Sequence, residues 1–138
     1  MIFGGAGFDF VSGGLDGDHL VGQGGPDDVA GGKGNDRLFG NSGSDYMEGG
    51  QGDDSLSGGS GPDRLEGGLG NDRISGGSGN DAIDGGLGTS RIAGGSGNDR
   101  ILAVNGRRDR VDCGPGRDKV SADRGDHLRR CEVIHRTS

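Results

Sequence analysis

The chain is poor in the residues that build an ordinary hydrophobic core. Only 27% of its 138 residues are hydrophobic, 4% are aromatic, and tryptophan is absent. Glycine, by contrast, occurs 36 times. A glycine-rich chain loses much backbone entropy when it becomes ordered, so composition alone favours disorder. A folded state therefore needs a source of order other than the burial of apolar side chains.

Motifs for membrane insertion and for catalysis are also missing. No apolar run approaches the roughly 20 residues of a membrane span. The three histidines fit no H-E-x-x-H metalloprotease motif. Neither a G-x-S-x-G nucleophile motif nor a G-x-x-x-x-G-K-[ST] phosphate loop occurs. The sequence indicates a protein that is not itself an enzyme.

Formal charge is distributed unevenly along the chain. Residues 1–102 contain 16 Asp and Glu against 6 Lys and Arg, a net of −10, whereas residues 103–138 contain 6 against 9, a net of +3. An acidic body argues against nucleic acid and anionic membranes as partners, and it favours cations. We expect a monomer whose main partners are metal ions.

Aspartate recurs at every ninth position over most of the chain, and Ser90 fills the one gap in the series. A large aliphatic residue follows each of these positions by two residues, and a glycine precedes each by five. Clear copies are Gly67–Ser75 and Gly94–Leu102. The aspartates of the series are Asp9, Asp18, Asp27, Asp36, Asp45, Asp54, Asp63, Asp72, Asp81 and Asp99.

The pattern Gly-Gly-x-Gly-x-Asp-x-U-x, with U a large aliphatic residue, resembles the hemolysin-type nonapeptide repeat of RTX proteins. Eleven copies in register cover residues 4–102. The resemblance implies an all-β fold, a parallel β-roll or right-handed β-solenoid. It also implies that aspartates and turn carbonyls of neighbouring turns share each of several Ca²⁺ ions.

The repeat can also be interpreted from its residues. We predict that each nonapeptide forms a glycine-rich turn of six residues and a strand of three. Two nonapeptides, 18 residues, would form one coil with a strand on each side, and coils would stack about 4.8 Å apart. The U side chains then form a thin apolar ladder. The aspartates alternate between two edges, where stacked carboxylates repel one another unless a cation lies between them.

Two interpretations of the aspartates remain open. In one, they bind Ca²⁺, which takes six to eight oxygen ligands. In the other, they only cap turns through local hydrogen bonds in a metal-free solenoid. Mg²⁺ resists dehydration, and Zn²⁺ favours His or Cys, neither of which recurs in the repeat.

Several copies depart from the pattern. Ser90 replaces Asp, which predicts a weakened or empty site at that turn. Asp16 replaces the fourth glycine, and Gln23 and Asn41 replace the second glycine. We expect those turns to be strained or differently liganded.

After Leu102 the repeat degenerates, which divides the chain into a repeat array at 1–102 and a C-terminal cap at 103–138. We include Asp118 among the metal ligands, while the roles of Asp109 and Asp126 stay open. Cys113 and Cys131 lie 18 residues apart, the length of one coil, which predicts a disulfide. Two free thiols are the alternative.

Ile2 already lies in the repeat register, and no secretory signal precedes it. We therefore expect an upstream domain in a larger parent protein. The sequence predicts a secreted or cell-surface module that folds on binding Ca²⁺ outside the cell. Its alternatives are a spacer or contact module of a surface adhesin or matrix protein, and the C-terminal part of a secreted enzyme or toxin.

Overall fold

The computed structural model of the chain describes residues 1–137, which contain β-strands and no helix. The strands are β1 Ile2–Ala6, β2 Phe10–Gly14, β3 His19–Gly24, β4 Asp28–Lys33, β5 Arg37–Ser42, β6 Tyr46–Gln51, β7 Ser55–Ser60, β8 Arg64–Leu69, β9 Arg73–Ser78, β10 Ala82–Asp84, β11 Arg91–Ser96, β12 Arg100–Ala103, β13 Arg110–Asp112, β14 Lys119–Asp123, β15 His127–Arg129 and β16 Val133–Thr137.

Successive strands alternate between two parallel sheets of eight strands each. The odd-numbered strands form one sheet and the even-numbered strands form the other, each in chain order. Residues 18 apart lie opposite each other, as Leu38 and Leu56 do in β5 and β7. The chain is therefore a β-solenoid of about 7 turns with two strands in each coil, which confirms the predicted fold class.

Most strands are longer than the three residues that we predicted, and only β10, β13 and β15 have that length among residues 1–137. β7 includes Gly58 and Gly59, and Gly59 lies opposite Gly77 in the next coil of the same sheet. Glycine has low strand propensity, so the sequence pattern assigns these residues to the turn. In stacked coils, however, their N–H and C=O groups find partners in the neighbouring coils. The prediction of a three-residue strand was wrong, and only residues 61–63 connect β7 to β8.

The core is a single ladder of aliphatic side chains between the two sheets. Each repeat from Val11 to Ile101 contributes its U residue, and all of these side chains are at most 3% exposed. Val111, Cys113 and Val120 extend the ladder into the tail. The thin core predicted from the sequence is confirmed.

Residues 103–137 continue both sheets through β13 to β16. The register changes there: Arg91 pairs with Arg110, 19 residues on, and Arg110 pairs with His127, 17 residues on. The predicted disulfide is present, with the Cα atoms of Cys113 and Cys131 5.2 Å apart. Beside it, the Arg130 guanidinium donates two hydrogen bonds of 2.8 Å to the Asp112 carboxylate. This ion pair holds the pKa of Asp112 below its usual value, mainly through the hydrogen bond from Arg130.

Candidate metal centre

The aspartates of the repeat stack in two columns, one along each edge of the solenoid, at the turns between the sheets. In each column, every residue is linked by a hydrogen bond to the residue one coil further on. The first column contains Asp9, Asp27, Asp45, Asp63, Asp81, Asp99 and Asp118; the second contains Asp18, Asp36, Asp54, Asp72, Ser90, Asp109 and Asp126.

From Asp27 onward, one carboxylate oxygen of each column aspartate stabilises the stacking of coils. The backbone N–H of Asp45, for example, donates to Oδ1 of Asp63 at 2.9 Å. The N–H of Asp54 likewise donates to Oδ1 of Asp72 at 2.8 Å. These bonds differ from the local turn caps of the alternative interpretation, because each joins residues of two neighbouring coils and uses one carboxylate oxygen only.

The second carboxylate oxygen is buried and has no hydrogen-bond partner. This holds for Oδ2 of every aspartate predicted as a ligand except Asp18, namely Asp9, Asp27, Asp36, Asp45, Asp54, Asp63, Asp72, Asp81, Asp99 and Asp118. A buried carboxylate oxygen without a partner is costly to hold in an apolar interior. The same unsatisfied atom repeats along both edges, and this repetition distinguishes the columns from ordinary turn caps.

Burial raises the pKa of eight of these carboxyl groups, those of Asp27, Asp36, Asp45, Asp54, Asp63, Asp72, Asp81 and Asp99. The effect is largest in the middle of the array, where loss of solvent raises the pKa of Asp63, Asp72 and Asp81 to about 6. The hydrogen bond from the preceding coil opposes this shift, and the charge of a neighbouring aspartate adds to it. Without a cation, the ionised columns therefore destabilise the folded state at neutral pH.

Glycine carbonyls lie beside these oxygens. A Cβ at Gly67 would overlap both Oδ2 of Asp72 and the carbonyl oxygen of Gly85 in the next coil, and a Cβ at Gly68 would overlap the carbonyl oxygen of Gly50 in the preceding coil. Gly68 has a φ of +99°, which L-residues rarely adopt. The glycines thus allow carbonyl and carboxylate oxygens of two coils to approach one another.

Two copies adopt this backbone without glycine. Gln23 and Asn41, which replace the second glycine, have φ values of 91° and 78°. The strain predicted at these turns is confirmed. Asp16 is not among the residues with positive φ in the described part of the chain.

The donor set suits a hard cation that accepts backbone oxygen. Within residues 1–137 no three side chains of His, Cys, Asp or Glu converge as a metal site, so side chains alone do not complete a coordination shell. Ca²⁺ accepts carboxylate and carbonyl oxygens in flexible geometry. The buried Oδ2 atoms and the crowded glycine carbonyls therefore fit Ca²⁺ better than Zn²⁺.

The family model of the RTX calcium-binding nonapeptide repeat matches the chain in four copies, at residues 1–29, 21–56, 57–92 and 88–107. The chain belongs to this family. RTX repeats indicate calcium binding by a β-roll, a structural rather than a typically catalytic module. Searches of curated proteins and of solved structures found no match. In residues 1–137, no helix is available to cross a membrane.

One turn of the RTX array differs from the others. Ser90 lacks a carboxylate, and its Oγ accepts the N–H of Asp72 at a longer distance, 3.4 Å. One coil further on, both oxygens of Asp109 have partners: Oδ1 accepts from the N–H of Ser90 at 2.7 Å and Oδ2 from the side-chain amide of Asn105 at 3.1 Å. Sequence reasoning missed Asn105, since it lies outside the repeat register.

Buried and exposed residues of the RTX module differ in their net charge. Eleven of its 22 acidic residues are buried aspartates, whereas none of the 15 Lys and Arg residues is buried. The remaining groups sum to 15 − 11, or +4, at the surface. The formal charge of −7 is thus the sum of −11 from the buried aspartates and +4 from the remaining groups. The formal charge led us to exclude anionic partners. That exclusion stays a prediction, because the surface that a partner would meet carries a net positive charge.

Proposed function

We propose that the module binds several Ca²⁺ ions at its turns and that it folds on binding them outside the cell. The observation that carries this proposal is the repeated, buried and unpartnered Oδ2. The ligands would be Asp9, Asp18, Asp27, Asp36, Asp45, Asp54, Asp63, Asp72, Asp81, Asp99 and Asp118, together with carbonyl oxygens of the turn glycines. Asp18 belongs by its place in the second column.

Bound Ca²⁺ would supply the positive charge that the columns lack. The chain's own residues do the rest: Oδ1 holds neighbouring coils in register, and the glycines leave room for oxygen atoms to converge. Extracellular modules bind Ca²⁺ with dissociation constants of about 10⁻⁴ to 10⁻³ M. Sites of that affinity are empty in cytosol and filled outside the cell, so export would start folding.

Isothermal titration calorimetry with Ca²⁺ tests the ligand assignment. Asp63→Asn keeps the Oδ1 acceptor for the N–H of Asp45 but removes the charge. We expect it to bind fewer ions than the wild type or to bind them at least tenfold more weakly. Asp28→Asn, on the outer face of β4, is the matched control and should leave binding unchanged. Equal binding by Asp63→Asn and the wild type would refute the assignment of Asp63 as a ligand.

A further inference from the structure

The side-chain amide of Asn105 lies among three oxygen acceptors at the irregular turn. Its Nδ2 donates to the carbonyl oxygen of Gly86 at 2.9 Å, to that of Gly88 at 3.1 Å, and to Oδ2 of Asp109 at 3.1 Å. The two carbonyls belong to the second and fourth positions of one repeat. The carboxylate belongs to the next coil on the same edge.

Regular turns present the corresponding oxygens without such a donor. For Asp81, the equivalent carbonyls of the preceding coil belong to Gly59 and Gly61, and Oδ2 of Asp81 has no partner. Asp109, by contrast, is absent from the buried aspartates with an unpartnered Oδ2. The amide therefore satisfies the type of oxygen that is left over at every regular turn.

We propose that the Asn105 amide takes the place of a cation at this turn, so that no Ca²⁺ binds there and the series of calcium sites is interrupted. The inference rests on the proposed calcium binding at the other turns. A neutral NH₂ group offers two donors and no net charge. A neutral group is sufficient because position 90 is a serine, so that Asp109 has no carboxylate at position 90 beside it to be neutralised.

Restoring the repeat at both positions tests this inference. The variant Ser90→Asp with Asn105→Gly regains the carboxylate and removes the amide. We expect it to bind one Ca²⁺ more than the wild type by equilibrium dialysis at saturating Ca²⁺. An unchanged number of ions in a folded variant would overturn the inference. A wild type that binds no Ca²⁺ would instead refute the proposed function.

Two further measurements keep the inference testable if the double variant folds poorly. Asn105→Gly alone should bind as many ions as the wild type, with a lower melting temperature. In the Ca²⁺-loaded wild type, the Asn105 side-chain NH₂ signals should exchange slowly with solvent in NMR spectra. Fast exchange would mean that the amide faces water and leaves the three oxygens to another group.

A second, independent feature is an arginine ladder on the odd-numbered sheet. Arg73, Arg91 and Arg110 lie directly opposite one another on β9, β11 and β13, and all three are exposed. In residues 1–137, none of them belongs to the ion pairs Arg64–Glu66 and Arg130–Asp112. Like charges on adjacent strands destabilise a sheet, so the ladder costs stability without an internal compensation.

The ladder borders a shallow groove floored by small side chains, including Ser57, Ser75 and Ala93. The groove has no aromatic side chain on which a nucleic-acid base could stack. Guanidinium groups pair with planar or tetrahedral oxyanions in two-point geometry. Their spacing of about 4.8 Å across strands suits a linear chain of acid groups.

From this geometry we infer that the ladder binds a linear anionic polysaccharide along the solenoid axis. The test uses dextran sulfate, with uncharged dextran as the reference, at about 0.15 M salt in saturating Ca²⁺. Arg73→Ser with Arg91→Ser and Arg110→Ser should weaken binding by about tenfold or more and should flatten its salt dependence. The matched control removes Arg64, Arg100 and Lys119, three cations of the opposite sheet.

The control should retain most of the affinity. The inference is overturned if both triple variants lose affinity equally, if neither does, or if duplex DNA or phosphatidylserine vesicles bind the wild type more tightly than dextran sulfate does.

Discussion

At the scale of single residues, each repeat aspartate divides two tasks between its two oxygens. Oδ1 of Asp63 accepts a backbone N–H from the preceding coil, while Oδ2 has no partner. The two interpretations of the sequence, turn cap and ligand, are therefore compatible in one side chain. The hydrogen bond differs from the predicted local cap in joining two coils, and the ligand role of Oδ2 stays a prediction.

Removing the charge of one column residue should stabilise the metal-free fold. Asp63→Asn keeps the Oδ1 hydrogen bond and removes a carboxylate whose pKa burial raises to about 6. We expect urea unfolding in EGTA to show a gain of about 1–3 kcal/mol, although the same variant loses Ca²⁺ affinity. A loss of stability in EGTA would contradict this division of tasks.

Two glycines with similar backbones separate strain from crowding. Gly7 and Gly68 have φ values of +104° and +99°, but a Cβ at Gly7 would meet nothing within 4 Å, whereas one at Gly68 would overlap the carbonyl of Gly50. Gly7→Ala should lower the free energy of unfolding only by the cost of the strained backbone, about 1–3 kcal/mol. Gly68→Ala should lower the stability by more than Gly7→Ala does, as measured by thermal unfolding at saturating Ca²⁺. Equal losses would show that oxygen approach does not depend on Gly68.

At the scale of the strand, each strand from β2 to β14 contributes one large side chain to the interior. Leu65 of β8 is 0% exposed, while Leu69 of the same strand is 49% exposed. Leu65→Ala should lower the free energy of unfolding by about 2–5 kcal/mol, measured with urea at saturating Ca²⁺. Leu69→Ala should change it by less than about 0.5 kcal/mol. Similar effects of the two substitutions would argue against the ladder as the core.

The features that the sequence predicted are those that depend on the nine-residue repeat period. The nine-residue spacing of Asp, Gly and U determined the coil length, the aliphatic ladder and the two aspartate columns, since side-chain direction and stacking follow from spacing. It did not predict strand length, because Gly58 and Gly59 gain partners only from other coils. Asn105 was missed for the same reason, because its two carbonyl acceptors lie in a neighbouring coil, 17 and 19 residues away.

At the scale of the molecule, eleven of the 22 acidic residues lie inside, whereas no Lys or Arg residue is buried. This arrangement reverses the usual relation between a hydrophobic core and a charged surface. The apolar ladder is one side chain wide, so stability depends on the state of the buried carboxylates. Protonation of these carboxyl groups should therefore promote folding at acidic pH. Binding of Ca²⁺ should promote folding at neutral pH, where the same groups are ionised.

The metal-free protein should gain β-structure as pH falls. The folded pKa of Asp63, Asp72 and Asp81 is raised from 3.8 to about 6, so protonation favours the folded state. That contribution is complete below about pH 4 and is lost as pH rises through about 6. Circular dichroism in metal-free buffer should follow this course, whereas Ca²⁺ affinity should fall in the same acidic range. Loss of metal-free structure between pH 6 and 4 would contradict the sign.

The most direct test of calcium-dependent folding is a far-UV circular dichroism titration of the metal-stripped protein at pH 7.4, with Ca²⁺ and, separately, with Mg²⁺. We predict a cooperative change from coil to β-structure near millimolar Ca²⁺ and none at equal Mg²⁺. A metal-stripped protein that already has the full β signal, and does not respond to Ca²⁺, would mean that the aspartates only hold the coils together.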